Sequence, residues 1–163
     1  MRPLALIVPL AMATALAFPA LAQAQQVTVT IGSKLAEKVE DLGQRDVDRQ
    51  MVLLQTTVER ELARSGALDG AQVNLVVIDL KPNRPTFQQA ADRPGLSVID
   101  SRSIGGATIE GEVIMADGER HPVRYDHYST SIAEVYSYST WYDAEVAYDR
   151  LADRLASGRL VSR

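Results

Sequence analysis

The chain has 163 residues, the size of one domain, with 46% hydrophobic residues, no cysteine and a formal net charge of −4. Without cysteine, disulfides and lipid attachment at a lipobox cysteine are excluded, so burial of apolar surface has to stabilise the fold. A mildly acidic composition of mixed sign argues against nucleic acid or an anionic membrane as the main partner.

The N-terminal segment has the features of a secretory signal. A positive charge precedes the apolar stretch 4–18, which is shorter than the roughly 20 residues of a membrane span. Small residues then offer cleavage after Ala22 or after Ala24. We therefore predict a signal peptide over residues 1–22 and a single globular domain over residues 23–163, in the bacterial periplasm or secreted. A domain without cysteine suits the periplasm.

Hydrophobic spacing predicts a strand, a long helix and a second strand in the first half of the chain. Alternation of apolar and polar residues over 26–31 indicates a half-buried strand. Residues 46–66 have the apolar repeat of a helix, with Asp46 as N-cap and Gly66 at the end. The nearly continuous aliphatic stretch 71–80 predicts an interior strand covered on both faces. The apolar stripe of the helix consists of Val47, Met51, Leu54, Val58 and Leu62.

Two further stretches connect these elements. Residues 32–44 are polar and fit either a strand extension or a loop. Pro82 and Pro85 end the interior strand, because proline cannot donate a ladder hydrogen bond. Thr86 and Gln89 then have the spacing of a capping box, which predicts a short helix.

The second half of the chain predicts sheet followed by a final helix. Residues 96–128 are typical of strands throughout, with a hairpin around a type I′ turn at Asp117 and Gly118. In the sequence TWYD, Thr140 and Asp143 have capping-box spacing and predict a helix start. Its inner face consists of Ala144, Tyr148, Leu151 and Leu155.

The order of these elements predicts the fold class. A strand, a helix, a strand, a short helix, two or three strands and a helix follow one another, with no linker between domains. This order predicts an α+β two-layer sandwich, in which two main helices pack on one face of a mostly antiparallel sheet of four to five strands.

Residues that carry metal or nucleophilic chemistry are sparse. His121 and His127 are the only histidines, and a strand separates them by about 20 Å, too far for one metal ion. The sequence has no zinc signature, GxSxG elbow or phosphate loop. We therefore expect no metal, no cofactor and no catalysis. The alternative is a small periplasmic hydrolase or transferase that uses Asp126, His127 and Arg84.

Tyrosine is concentrated in one segment. Five of the six tyrosines and the only tryptophan lie within residues 125–143. The tyrosines on apolar stripes fit a core, whereas three others lie among serines and threonines without a clean period. Exposed tyrosines are typical of recognition surfaces. We therefore predict a binding surface that includes Tyr128, Tyr136 and Tyr138.

The loop after the interior strand adds Arg84 and Arg93 to this predicted surface. A guanidinium in such a loop is suited to a carboxylate or phosphate of a ligand. The alternative is that the prolines stiffen the loop and the two arginines pair with Asp79 or Asp92.

Three segments resemble small uncharacterised secreted domains of proteobacteria: PNRPT (82–86), GGATIEG (105–111) and STWYDAEVAYDRLADRLA (139–156). The element order is also loosely similar to that of auxiliary lipoproteins of envelope lipid transporters, from which this chain departs by lacking a lipidation cysteine. These resemblances imply a location and a fold, but no functional residues.

The sequence as a whole favours a non-catalytic periplasmic binding or envelope-accessory protein that contacts an envelope protein or a glycan. A third hypothesis is self-association through an edge strand, which Pro122 marks because proline is confined to sheet edges and bulges.

Overall fold

A computed structural model describes residues 26–160, apart from the side chains of Tyr136 and Ser137. The chain forms an α+β two-layer sandwich, as the sequence predicts. The predicted signal peptide and both of its cleavage sites lie outside the described residues.

The elements follow the predicted order, with two additional short α-helices and a 3-10 helix. They are β1 (Gln26–Ile31), α1 (Ser33–Ala36), α2 (Val39–Leu42), α3 (Gln44–Ser65), β2 (Gln72–Lys81), α4 (Phe87–Asp92), β3 (Gly106–Ile114), β4 (Arg120–Tyr128), a short 3-10 helix (Glu134–Ser137) and α5 (Tyr142–Ala156).

The described sheet has four strands in the order β1-β2-β3-β4. β1 runs parallel to β2, because the helices between them carry the chain back to the start of the sheet, and the other two pairs are antiparallel. α3 and α5 pack against each other and against one face. The other face is open and carries cross-strand ion pairs, Arg124 with Glu110 and Arg120 with Glu112.

The predicted helix stripes form the core. On α3, Val47, Leu54, Val58 and Leu62 are fully buried, with Met51 partly buried beside them. The predicted inner face of α5 is likewise buried and consists of Ala144, Tyr148, Leu151 and Leu155. Each stripe recurs at the helical repeat, so burial of both against the sheet follows from the sequence alone.

The prediction for the start of α3 was wrong. Asp46 is not the N-cap, because α3 begins at Gln44 and Gly43 caps it with a φ of 91°. Residues 32–44, predicted as strand or loop, instead contain α1 and α2. Leu35 and Leu42 bury one side chain from each of these helices, and this burial outweighs the polar composition that the sequence pattern emphasised.

The prediction for the start of α5 was also wrong. α5 begins at Tyr142 with Trp141 as N-cap, and no side chain caps it. The Asp143 carboxylate, assigned to a capping box with Thr140, is buried and accepts hydrogen bonds from other segments. In contrast, the capping box of Thr86 and Gln89 is confirmed at the start of α4.

Two details of the predicted sheet differ. The β3–β4 hairpin turns through Met115 to Gly118, and only Gly118 has a positive φ. A type I′ turn needs positive φ at both central residues, so this turn is of another type. Residues 96–105 are irregular rather than strand. The open face of β2 is half-exposed, so this strand is covered on one face only.

Tyr148 provides a test of core packing. Its hydroxyl is buried and has no hydrogen-bond partner among the described residues, and an unsatisfied buried polar group is destabilising. We expect Tyr148→Phe to leave the free energy of unfolding unchanged or to raise it by up to about 1 kcal/mol, as measured by urea denaturation.

The matched control is Tyr128→Phe, which removes a hydroxyl that is hydrogen-bonded to Thr108 and Asp79. This variant should lose about 1 kcal/mol. Equal losses in the two variants would show that the Tyr148 hydroxyl has a partner in solution.

Candidate functional site

A buried hydrogen-bond network ties α5 to two loops; we call Asn83, Ser129 and Asp143 the Asn83 network. Asn83 Nδ2 donates to Asp143 Oδ2 at 2.6 Å and to Ser129 Oγ at 3.2 Å. Ser129 Oγ donates to the same carboxylate oxygen. In return, the backbone N–H of Asp143 donates to Asn83 Oδ1 at 3.0 Å. All three residues are buried, so the network satisfies a carboxylate that water does not reach.

The backbone of Asn83 extends the network. Its N–H donates to the Thr140 carbonyl at 2.7 Å, and its carbonyl accepts from the Ser103 N–H at 2.9 Å. Gly105 lies so close that a Cβ there would overlap the Asn83 side chain, which explains a glycine at this position. One residue thus fixes the positions of the loop after β2, the segment before β3 and the start of α5.

His127 contacts the edge of the network. Its Nε2 lies 3.4 Å from Asp143 Oδ1, and Arg150 Nη1 lies 3.2 Å from its Nδ1. Arginine is only a donor, so His127 Nδ1 accepts and Nε2 carries the proton that faces Asp143. Nucleophilic catalysis needs the histidine between the serine and the aspartate. Here the aspartate lies between, so His127 does not activate Ser129.

The Asn83 network should dominate local stability. Asn83→Ala leaves the Asp143 carboxylate buried with fewer donors, so we expect a loss of about 3 kcal/mol in the free energy of unfolding. Asn74→Ala is the matched control, because Asn74 is half-exposed on the open face of β2 and its loss should stay below about 1 kcal/mol. Similar urea midpoints for the two variants would contradict a structural role of the network.

A second polar cluster lies on the open face and includes Tyr128. Its hydroxyl donates to Asp79 Oδ2 at 3.1 Å and contacts Thr108 Oγ1 at 2.7 Å. Burial, with Asp79 alongside, raises the pKa of Tyr128 to about 12, so this hydroxyl stays protonated and donates. Lys38 Nζ lies 2.6 Å from Asp79 Oδ1. Burial opposes ionisation of Asp79, but Lys38, Tyr128 and Lys81 together outweigh it and lower the pKa of this carboxyl.

The lowered pKa of Asp79 gives acid-dependent stability. The folded pKa lies below the ordinary value of 3.8, so the stabilisation is complete above about pH 5 and is lost as the pH falls through the folded pKa. The difference in free energy of unfolding between wild type and Asp79→Asn should be constant above about pH 5 and narrow below about pH 4. Urea denaturation across this pH range measures the difference in free energy of unfolding. A difference that does not vary with pH would refute the lowered pKa of Asp79.

The predicted surface residues do not form one site. Tyr128 and Tyr138 line a recess of about 220 Å³ together with His127 and Arg150. Tyr138 also stacks on the exposed Tyr142, with ring centroids 4.0 Å apart. The side chain of Tyr136 lies outside the described part of the structure.

The two predicted arginines hold segments of the chain. Arg84 Nε donates to the Tyr138 carbonyl at 2.7 Å, and its Nη1 donates to the Ile99 carbonyl. Arg93 pairs with Asp41. The partner of Arg93 is therefore Asp41 rather than Asp79 or Asp92, which the sequence had suggested. The guanidinium groups of both arginines are engaged in internal contacts.

The residues of the alternative hydrolase diverge. On β4, Asp126 is exposed on the open face, whereas His127 lies on the helix-covered face. Adjacent strand residues point to opposite faces, so one reacting group does not meet both. Arg84 is engaged with backbone carbonyls.

A larger recess lies where α3, the start of α4 and the start of α5 meet. It has a volume of about 800 Å³, within the range of small-molecule sites. Two of its apolar side chains are largely exposed, Phe87 at 78% and Val52 at 61%. We call it the apolar groove, and its apolar wall consists of Val52, Leu53, Pro85, Phe87, Val98 and Trp141.

The sequence analysis did not single out the residues of this wall, although one signal was available. Val52 lies outside the buried stripe of α3, at a position where an amphipathic helix ordinarily has a polar residue. Phe87 is similar, because it occupies the first position of α4, a helix with no buried residue. Apolar residues at solvent-facing helix positions therefore indicated this wall in the sequence.

Two classes of site are not seen between residues 26 and 160. No group of three or more His, Asp or Glu side chains there is arranged to hold a metal ion. No helix in the same range combines the length and hydropathy that a bilayer span requires.

Comparison with known proteins gives no relative for this chain: no protein-family model matches it, and no curated protein or solved structure is significantly similar. The resemblances noted from the sequence therefore stay predictions.

Proposed function

We propose that the protein is a non-catalytic binding module of the bacterial periplasm whose ligand occupies the apolar groove. The observation that carries this proposal is the exposure of Phe87 and Val52 in the wall of a recess of about 800 Å³. Exposed apolar surface that lines a concave site is typical of ligand binding. The apolar wall favours an apolar ligand over a glycan, whose hydroxyl groups need polar partners.

The groove is also held in shape independently of its exposed side chains. The Asn83 network fixes Thr140, which lines the groove beside Trp141. The capping box of Thr86 and Gln89 holds the first turn of α4, whose first residue is Phe87. A site on a rigid scaffold loses less conformational entropy when a ligand binds. The groove therefore has the preformed character of a binding site.

Trp141 allows a direct test. It is the only tryptophan and lines the groove, so energy transfer from its indole to N-phenylnaphthylamine, a neutral apolar fluorophore, reports on binding there. We expect Phe87→Ser and Val52→Ser each to weaken binding by about tenfold, because each removes apolar area that the probe covers. Fluorescence titration of the purified protein measures the dissociation constants.

Ile132→Ser is the matched control. Ile132 is 55% exposed and does not line the groove, so this variant should bind like wild type. All three substitutions are at exposed positions and should change the free energy of unfolding by less than about 0.5 kcal/mol. No energy transfer from Trp141, or an equal loss in the Ile132 variant, would refute the proposal.

A further inference from the structure

Glu145 is an uncompensated carboxylate in the wall of the apolar groove. It lies one turn after Trp141 on α5, and its backbone N–H donates to the Trp141 carbonyl at 2.9 Å. Partial burial raises the pKa of Glu145, and the neighbouring Asp149 adds to this. Within the part of the chain that the structure describes, no cation or hydrogen-bond donor contacts this carboxylate. A half-buried charge without a partner is unfavourable, and a cationic ligand would relieve it.

The other charges at the groove are paired or exposed to water. Asp46 pairs with Arg49. Asp48 accepts a hydrogen bond from Gln44 Nε2 at 2.7 Å and is exposed. Glu145 is therefore the half-buried charge without a partner, and its sign selects a cation. An ammonium group has three donors and no acceptor, so it matches a carboxylate. A carboxylate ligand would add a second acceptor and a like charge.

From this geometry we propose that the ligand is a small amphiphile with a protonated amine, whose apolar body lies against Phe87 and Trp141 and whose ammonium group binds Glu145. This inference rests on the proposed function and deepens it. The volume of about 800 Å³ suits a small molecule.

The test compares three probes that share one alkyl chain: octylamine, octanol and octanoate. Trp141 fluorescence of the full-length mature protein gives each dissociation constant. We expect octylamine to bind about tenfold more tightly than octanol, with octanoate the weakest because of repulsion by Glu145.

Variants separate the amine contact from the apolar contact. Glu145→Gln should weaken the binding of octylamine by about tenfold and change the affinity for octanol by no more than about twofold. Asp153→Asn is the control, because Asp153 is an exposed carboxylate on the same helix outside the groove, and its selectivity should match wild type.

The outcomes distinguish this inference from the proposed function. Equal affinities for the three probes, with Phe87→Ser still weakening all of them, would overturn the amine and leave the apolar site intact. Tightest binding of octanoate would overturn it too, as would unchanged selectivity in Glu145→Gln. If no probe binds and N-phenylnaphthylamine does not bind either, both proposals fail.

Discussion

The arrangement of the candidate functional site depends on the hydrogen bonds between Asn83 and Asp143. These residues lie on separate elements, and their side chains and backbone groups satisfy each other in a buried setting. Asn83 additionally holds Thr140 and Ser103 through its backbone. Since a buried carboxylate is tolerated only with its donors in place, the loops that meet at Asn83 have little freedom to move apart. The same hydrogen bonds therefore hold this side of the apolar groove in place, because its wall includes Trp141 next to Thr140.

The groove and the core use apolar residues in different ways. In the core, residues such as Leu54 and Leu155 are fully enclosed between helix and sheet, and their burial stabilises the fold. In the groove, Phe87 and Val52 remain largely exposed to water, so they contribute little to folding. Carboxylates differ in the same manner: Asp143 is satisfied internally, whereas Glu145 in the wall of the groove has no donor among the described residues.

Much of the fold could be predicted from the local sequence, because the pattern that predicts each of these features lies within one element. The α3 stripe, the central strand, the edge position of Pro122 and the capping box at Thr86 each have a pattern within one short segment. Failures occurred where distant contacts decided the outcome. TWYD has capping-box spacing, yet Asp143 bonds instead with Asn83, sixty positions away in the chain. A tertiary partner outweighs a local signal of this size.

The candidate site was harder to predict for the same reason. Its wall combines α3, the first residue of α4, Val98 and the start of α5, and no single segment shows a motif. The tyrosine segment drew attention by composition, but Tyr125 and Tyr148 are core residues and Tyr128 is hydrogen-bonded on the sheet. Composition identifies unusual residues, whereas the exposure of a side chain and its hydrogen-bond partners are known only from the fold.

The parallel pairing of β1 has a consequence for the order of assembly. β3 and β4 meet through the short turn 115–119, and residues 82–105 with α4 connect β2 to β3. Gln26 of β1 pairs with Gln72 only after three helices have intervened. Closing a longer loop costs more conformational entropy and slows folding. We therefore expect the hairpin of β3 and β4 to form early and β1 to join the described sheet last, against β2 and α3.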